Sequence, residues 1–369
     1  KGGFDFLGTD RTKIATADQF VTVRSVVESL GVKVLIIIGG DDSNTNALYL
    51  SDALFGVCSV IGVPKTIDGD LQYLPYVPIT FGFHTATQHY ATLVRALMID
   101  AKATQKYWHI VKLMGRDSSH VTLEVAHQVQ PHVCVLSEEI CDKGWGLVDL
   151  VQYCAGIMSE RFKLGKPFGV MIFPEGVMDS LVEFKEVMQG NMGPMNQVLA
   201  QFGLPNMDAL PVMEDAHGNK NFSLVPTELL MMQLLKGYLE AQDNAAALVK
   251  MIPHFFGYTG RGVKPTAFDG AYGLALGKTA YGLALSGVTG VMAGVGLKGG
   301  VFAVGLPLTA MVAYDSGRSR HVIQKHLVCM DSDIYRQYAQ EKEDWCLQDV
   351  GFPRKEIFEI PYAIQLDLK

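Results

Sequence analysis

The sequence predicts an α/β protein with two layers of parallel sheet and a helical insertion, and three observations lead there. Buried-type strand runs alternate with amphipathic helices, first over 32–63 and again over 107–173, which is the pattern of βαβ units. At 369 residues the chain is long enough for two domains of ordinary size. Hydrophobic residues make up 49 % against 19 % charged, enough for a sizeable core, which excludes a disordered chain or a coiled coil.

In order along the chain, residues 32–38 form a continuous β-branched run expected to be a strand buried on both faces. Gly39-Gly40 ends it, and residues 43–54 read as a helix with Ser43 as its cap and Ala47, Leu48, Leu50 and Leu54 as its apolar stripe. A second strand over 57–63 runs into Pro64 and a polar loop. Helices are predicted over 85–102, 118–129 (capped by serine) and 147–162, with strands over 107–114, 133–136 and 169–173. From 177 to 247 the pattern is helical and Met-rich, with loops near Pro205 and His217-Gly218. A glycine-rich segment follows 253–262, and the tail from 318 mixes a helix with an extended end.

Composition narrows the function. A net charge of −7, from 31 basic and 38 acidic residues, excludes nucleic acid as the main partner. Phosphates then require a local cationic or metal site. The six cysteines form no C-x-x-C pair and no zinc spacing, and read as reduced thiols of a cytoplasmic protein without a signal peptide at its start. Residues 279–297 carry no charge and include Gly290-x-x-x-Gly294. That stretch approaches the about 20 residues of a membrane span. It is rich in Gly, Thr and Ser and flanked by Lys278 and Lys298, so a buried helix, a turn and a strand are expected instead, and no membrane.

Open parallel sheets bind ligands beyond the carboxyl ends of their strands, which directs attention to the loops after Gly39, Pro64, Met114 and Pro174. Gly39-Gly40-Asp41-Asp42-Ser43 offers a helix N-terminus suited to an anion. Its two carboxylates either cap the helix, which favours negative charge, or share a divalent cation with phosphate oxygens. Pro64-Lys65-Thr66-Ile67-Asp68-Gly69-Asp70 brings a cation, a hydroxyl and two further carboxylates to the same sheet edge. Four aspartates and a lysine crowd one edge at high cost unless a metal or ligand shares their charge, and a carboxylate there suits the base for an acceptor hydroxyl. Arg116, after Met114-Gly115, can grip a phosphate as a bidentate fork or serve as a surface ion-pair partner. Glu175 of Pro174-Glu175-Gly176 can meet sugar hydroxyls or start a helix, and Tyr258 and Arg261 of Gly257-Tyr258-Thr259-Gly260-Arg261 can present a phenol and a guanidinium.

The series GGDDSNTNA, GVPKTIDGD, MGR followed by S-H, F-PEG and GY-x-GR, in this order, resembles the phosphofructokinases, and is most similar to the long pyrophosphate-dependent branch. The match begins near Gly3-Phe4-Asp5 and runs through most of the chain. The resemblance implies two Rossmann-like parallel-sheet domains, one over 1–79 and 263–317 for the donor phosphate, the other over 80–262 and 318–369 for the sugar phosphate, with an insertion around 177–247. It implies phosphoryl transfer from pyrophosphate to the 1-hydroxyl of fructose 6-phosphate, with Mg²⁺ as cofactor. By the same resemblance Asp68 is the base, with Thr66 and Arg116 beside it as catalytic residues. Asp41 and Asp70 are the metal carboxylates. Gly40, Asp42 and Lys65 belong to the donor site, and Met114, Gly115, Arg116, Glu175, Tyr258 and Arg261 to the sugar phosphate. ATP-using relatives usually have glycine where Asp42 and Lys65 stand. A carboxylate at 42 projects into space that a nucleotide's α-phosphate needs, while Lys65 can hold pyrophosphate.

The sequence also departs from the family. No strand and Gly-rich donor loop precede Gly2-Gly3-Phe4, so the chain is expected to be the later part of a longer product or one piece of a split enzyme, with a companion chain supplying the loop and an exposed sheet edge. Thr259 replaces a usually acidic residue, and His84 stands where the family often has Asp. Two other readings stay open: an ATP-dependent kinase of the same family, and a non-catalytic regulatory subunit. Relatives associate, so a homo- or hetero-oligomer is expected.

Overall fold

The computed structural model describes residues 3–9, 13–208, 213–214, 220–221, 224–297, 300–316 and 319–349. Helices α1 (Gly3–Leu7) and α2 (Ala17–Leu30) come first. The Thr16 hydroxyl accepts the Gln19 N–H to start α2, and Gly31 at φ 64° stops it. A strand–helix–strand unit follows, β1 (Val34–Gly39), α3 (Asp41–Ala53) and β2 (Ser59–Thr66), with the short strand β3 (Phe81–Gly82) on the far end of β2. The second unit comprises α4 (Phe83–Thr104), β4 (Trp108–Leu113), α5 (His120–Val129), β5 (Val133–Cys134), α6 (Ser137–Lys143), α7 (Leu147–Lys163) and β6 (Gly169–Pro174). After it come α8 (Val182–Val187), α9 (Gly193–Gln201), the hairpin β7 (Met213–Glu214) with β8 (Lys220–Asn221), and α10 (Thr227–Ala241). Strand β9 (Met251–Phe255) returns to the second sheet. Helix α11 (Ala267–Leu285), β10 (Val291–Gly296) and β11 (Phe302–Pro307) return to the first, followed by the hairpin β12 (Val312–Asp315) with β13 (Arg320–Ile323) and by α12 (Asp333–Leu347).

The first sheet runs β1-β2-β10-β11, parallel except for the last pair, and the second runs β5-β6-β4-β9, parallel throughout. The expected pair of parallel-sheet layers is present. The second sheet is covered on both faces, and every residue of β4 and β6 is buried, which is why 108–113 and 169–174 read as unbroken apolar runs. One core joins the two sheets through Val63 of β2, Phe83 and Tyr90 of α4, Val111 of β4 and Tyr272 of α11. A second packs α7 and α10 on the outer face of the second sheet, around Trp108, Met158 and Leu234.

Four local expectations need correction. Strand β1 is not buried on both faces: Ile36 and Ile38 are 42 % and 46 % exposed. It pairs with β2 alone among the described residues, and a β-branched run does not disclose how many faces tertiary packing covers. Helix α3 begins at Asp41, with Gly40 as its cap residue, because the Asn44 amide rather than Ser43 reaches back, donating to the carbonyls of Gly39 and Gly40 at 2.8 Å each. Strand β2 continues through Pro64 to Thr66, since β3 pairs with Lys65 and Thr66, so the loop proper starts at Ile67. No serine side chain caps α5; the Ser119 hydroxyl instead accepts the Ser137 N–H at 2.9 Å, and that of Ser118 donates to the Asp68 carbonyl at 3.4 Å. Within 279–297 the helix–turn–strand expectation holds, though α11 starts earlier and leaves Leu274, Tyr281 and Leu285 exposed. No described helix is long and apolar enough to cross a membrane. All six cysteines are free thiols. The loop at His217-Gly218 and the extended end beyond 349 lie outside the described residues.

Helix α12 is tied to the second sheet by charge. Asp349, just past its end, meets Arg161 Nη2 at 2.7 Å, Lys166 Nζ at 3.1 Å and His132 Nε2 at 3.4 Å. His132 first, then Arg161 and Lys166, hold the Asp349 carboxyl well below the usual carboxylate range against the effect of burial. Burial pushes His132 down to about 4, and its Nδ1 accepts the Val170 N–H at 3.0 Å. His109 falls to about 4 from burial and the neighbouring His254. Both imidazoles are neutral in the fold, whereas in the unfolded chain each takes a proton as pH drops below 6.5. Stability is therefore complete above pH 6.5 and falls as pH approaches 4, by about 3 kcal/mol for the fully buried His132 and by less for His109, whose charge is better screened. The Asp349 contribution is lost only lower, below the ordinary carboxylate pKa. Urea midpoints measured from pH 7 to 4.5 check this; a flat profile contradicts it.

Candidate active site

Three loops meet where the carboxyl ends of the two sheets face each other: the start of α3, the turn 67–70 after β2, and 114–119 after β4. Gly39 permits the first, because a Cβ there meets the Ser43 side chain at 2.3 Å. The chain turns directly into α3 and sets Asp41 and Asp42 in its first turn, where the helix dipole favours negative charge. The second loop turns at Gly69, at φ 75°, a conformation suited to glycine. The Thr66 hydroxyl accepts the Asp68 N–H at 3.1 Å and fixes the Asp68 backbone. In the third, Gly115 sits at φ 125°, and a Cβ there meets the Ser118 carbonyl at 2.8 Å.

The carboxylates sit close enough to perturb one another. Asp70 is 5 % exposed; burial, then the charges of Asp68 and Asp41, raise its carboxyl well above the usual range. Asp41 is raised by burial and by Asp42. Two groups outside the sequence motifs complete the cluster. Asp117 adds a carboxylate next to Arg116, and Lys325 places its Nζ 3.2 Å from Asp41 Oδ2 and 2.6 Å from Asp117 Oδ2. Burial alone lowers the Lys325 ammonium's pKa, but Asp41 and Asp117 outweigh it and raise it, so the group is charged.

Lys325 belongs to an extended strap, 324–330, which runs from β13 to α12 along the same edge. The Gln324 N–H donates to the Met311 carbonyl at 2.8 Å and the His326 N–H to the Asp70 carbonyl at 2.7 Å. His120 Nε2 bonds the His326 carbonyl at 3.0 Å; burial lowers the pKa of this imidazole, against the raising effect of that hydrogen bond. Further on, Glu138 Oε1 accepts both the Val328 and the Ser119 N–H, at 3.0 and 3.1 Å.

A second cluster forms around Tyr90, buried on α4. Its hydroxyl donates to the Gly257 carbonyl, and Gly260 lies directly on its ring. Burial raises its pKa, and the charges of Arg261, Asp68 and Glu175 all act on it, so three residues from three loops converge there. The Arg261 guanidinium lies 5.4 Å from the centroid of the Tyr258 ring. Glu175 is buried at the start of a 3₁₀ turn, Glu175–Ser180, whose Gly176 N–H donates to the Gly115 carbonyl at 3.0 Å. The Met114 side chain is packed in the core, so Met114 faces a ligand only through its backbone. His84 is buried, 2.8 Å from the Thr266 hydroxyl and against the Phe268 ring. Thr259 closes a local turn on the Phe256 carbonyl.

The structure thus brings Asp41, Asp42, Asp68 and Asp70 into one electrostatic cluster, and draws Glu175 and Arg261 toward Asp68 through Tyr90. Lys65 and Thr66 end β2 beside it, and the Lys65 carbonyl lies 3.5 Å from where a Gly40 Cβ would sit. Sequence reasoning missed Lys325, Asp117 and Tyr90, and gave His120, the last residue of the MGR and S-H motif, no role of its own. Asp117 directly follows Arg116 and had a local signal; Lys325 lies in a patternless strap and Tyr90 on a helix whose apolar spacing reads as core. Among the described residues no three His, Cys, Asp or Glu side chains enclose a metal position. The hard oxygen donors Asp41 and Asp70, crowded and desolvated, fit a divalent ion that keeps water and phosphate as its other ligands.

Paired sheets with carboxylates, lysines and an arginine gathered at their carboxyl ends supply the groups that phosphate-bearing ligands and a hard cation need. The chain belongs to the phosphofructokinase family, whose profile, described as Phosphofructokinase, matches residues 1–284. It is 35 % identical over 94 % of its length to the pyrophosphate--fructose 6-phosphate 1-phosphotransferase of Porphyromonas gingivalis, covering 70 % of that protein. It is 35 % identical over 95 % of its length to the subunit beta 1 of that enzyme in Arabidopsis thaliana, covering 67 %, and 29 % identical over 75 % to the subunit alpha of Solanum tuberosum, covering 49 %. The fold is shared with a pyrophosphate-dependent phosphofructokinase from Nitrosospira multiformis, at a TM-score of 0.60 and 15 % identity, over 96 % of this chain and 76 % of that one.

Proposed function

We infer that the protein transfers a phosphoryl group from pyrophosphate to the 1-hydroxyl of fructose 6-phosphate. The observation that carries this reading is the acidic cluster at the strand ends, with Asp42 in the first turn of α3 and Lys65 at the end of β2. Relatives 34 to 35 % identical over most of the chain, named for this reaction, support it.

Asp68 takes the proton of the sugar hydroxyl as its oxygen attacks the donor phosphorus and the bond to the departing phosphate breaks. Thr66 holds the turn that aims Asp68, and Arg116 steadies the phosphoryl group. Asp41 and Asp70 hold Mg²⁺, which, when bound, neutralises charge on the donor oxygens. Gly40, Asp42 and Lys65 receive the donor. Arg116, Glu175, Tyr258, Arg261 and the backbone at Met114 and Gly115 receive the sugar phosphate. The donor unit comprises 1–79 and 263–317 and the sugar unit the remainder; the protein works in the cytoplasm as an oligomer, in keeping with relatives named as subunits alpha and beta.

A coupled assay with both donors tests the reading. Pyrophosphate supports turnover and ATP does not. In Asp42→Gly the preference for pyrophosphate, as a ratio of kcat/KM values, falls by about tenfold or more, because a like charge facing a nucleotide phosphate costs about several kcal/mol. Turnover with ATP alone makes the protein an ATP-dependent kinase, and none with either donor makes it a regulatory subunit.

A further inference from the structure

We propose that Lys325 is a donor-site residue: a built-in cation that shares Asp41 with the divalent metal and turns its ammonium to the donor phosphate once the metal holds the carboxylate. The inference rests on the reading above for the donor's identity, but not for the competition with the metal.

Three observations carry it. The first is position: Nζ stands 3.2 Å from Asp41 on the first sheet's side and 2.6 Å from Asp117 on the second's, so one ammonium bridges the two edges of the cleft. The second is preorganisation. The strap is pinned on both sides of Lys325, by the Gln324 N–H on the Met311 carbonyl and by the His326 N–H on the Asp70 carbonyl, which fixes its backbone against the turn that carries Asp68 and Asp70. The third is charge. Asp41, Asp70 and Asp117 all act on this ammonium, and Asp42 and Asp68 act on Asp41 and Asp70 in turn.

A lysine in such a ring does the work of a metal while the metal is away, because it relieves repulsion among carboxylates that burial has stripped of water. A divalent ion approaching Asp41 would compete for the carboxylate that faces Nζ. When the ion and a multiply charged donor arrive together, the ammonium has a phosphate oxygen within reach on a flexible four-carbon stem. A purely structural clamp between the sheets is the competing explanation, and it predicts no change in metal affinity beyond what unfolding causes.

Lys325→Met, which keeps the stem and removes the charge, and Lys325→Arg, which restores it, separate the two. Mn²⁺ binding to the donor-free protein is followed by the loss of its free-ion electron paramagnetic resonance signal, and thermal melting confirms that each variant is folded. Mn²⁺ is expected to bind Lys325→Met at least several-fold tighter than wild type, with Lys325→Arg between them. With Mg²⁺ present, pyrophosphate is expected to bind Lys325→Met at least tenfold more weakly, while fructose 6-phosphate affinity stays within twofold. Unchanged Mn²⁺ affinity in a folded Lys325→Met overturns the competition, and unchanged pyrophosphate affinity overturns the phosphate contact. If wild type binds no pyrophosphate, the proposed donor is wrong; the Mn²⁺ titration still decides whether Lys325 and the metal share Asp41.

Discussion

Asp68→Asn is expected to lower kcat by about 10²- to 10⁴-fold, the range a positioned general base contributes, with fructose 6-phosphate affinity within about twofold. The contacts that set the turn at 68 run through backbone: its N–H to the Thr66 hydroxyl, its carbonyl to the Ser118 hydroxyl, and the positive φ of Gly69. An isosteric amide leaves all of them in place and removes only the proton acceptor. It also lifts a repulsive charge from Asp70, which is why the donor is kept saturating in the test. Single-turnover kinetics with saturating donor check this. A variant that turns over within tenfold of wild type removes Asp68 as the base.

Gly176→Ala is expected to damage the sugar end almost as severely. A Cβ at 176 falls 1.7 Å from the Arg116 carbonyl oxygen and 2.7 Å from its carbon, so backbone rather than a side-chain tip must move. The same residue donates to the Gly115 carbonyl. Loop 114–117 is thereby pushed away from Glu175, and a displacement of about 1 Å at a binding group costs about 10² in affinity or rate. Overpacking adds a loss of about 1–3 kcal/mol in stability. Gly156→Ala on α7, where nothing lies within 4 Å of a Cβ, is the control. There a stabilisation of about 0.5–1 kcal/mol is expected from helix propensity. Urea unfolding and fructose 6-phosphate calorimetry separate the two effects, and wild-type sugar affinity in Gly176→Ala contradicts the packing of these loops.

The fold was legible where local pattern and tertiary environment agree. Strands β4 and β6 are buried on both faces, so their composition carries the information, and the loops that follow them can be placed by topology alone. It was less legible where the environment is set from a distance. Nothing within 32–38 tells that Ile36 and Ile38 face outward, since that depends on what covers the first sheet. The capping expectations failed for a related reason: serine hydroxyls at 118 and 119 bond to Asp68 and Ser137, partners 50 and 18 residues away, in preference to their own helix.

The candidate site divides in the same way. Asp41, Asp42, Asp68 and Asp70 are visible because they stand in short loops after strands. Lys325 is invisible because it lies on an extended strap with no periodicity, more than two hundred residues beyond the carboxylates it meets. Tyr90 is hidden for the opposite reason, since its helix reads as an ordinary amphipathic one. A cleft assembled from both sheets takes residues from both kinds of segment, and only the loops announce themselves.

That the crowded aspartates at the strand ends exist to hold a metal together with a phosphate donor can be tested directly by pyrophosphate calorimetry on the wild-type protein, with Mg²⁺ and with a chelator in its place. Binding that requires Mg²⁺, and is abolished in Asp41→Asn with Asp70→Asn, is the expected result. Equal binding in the presence of the chelator, or in the double variant, would contradict it.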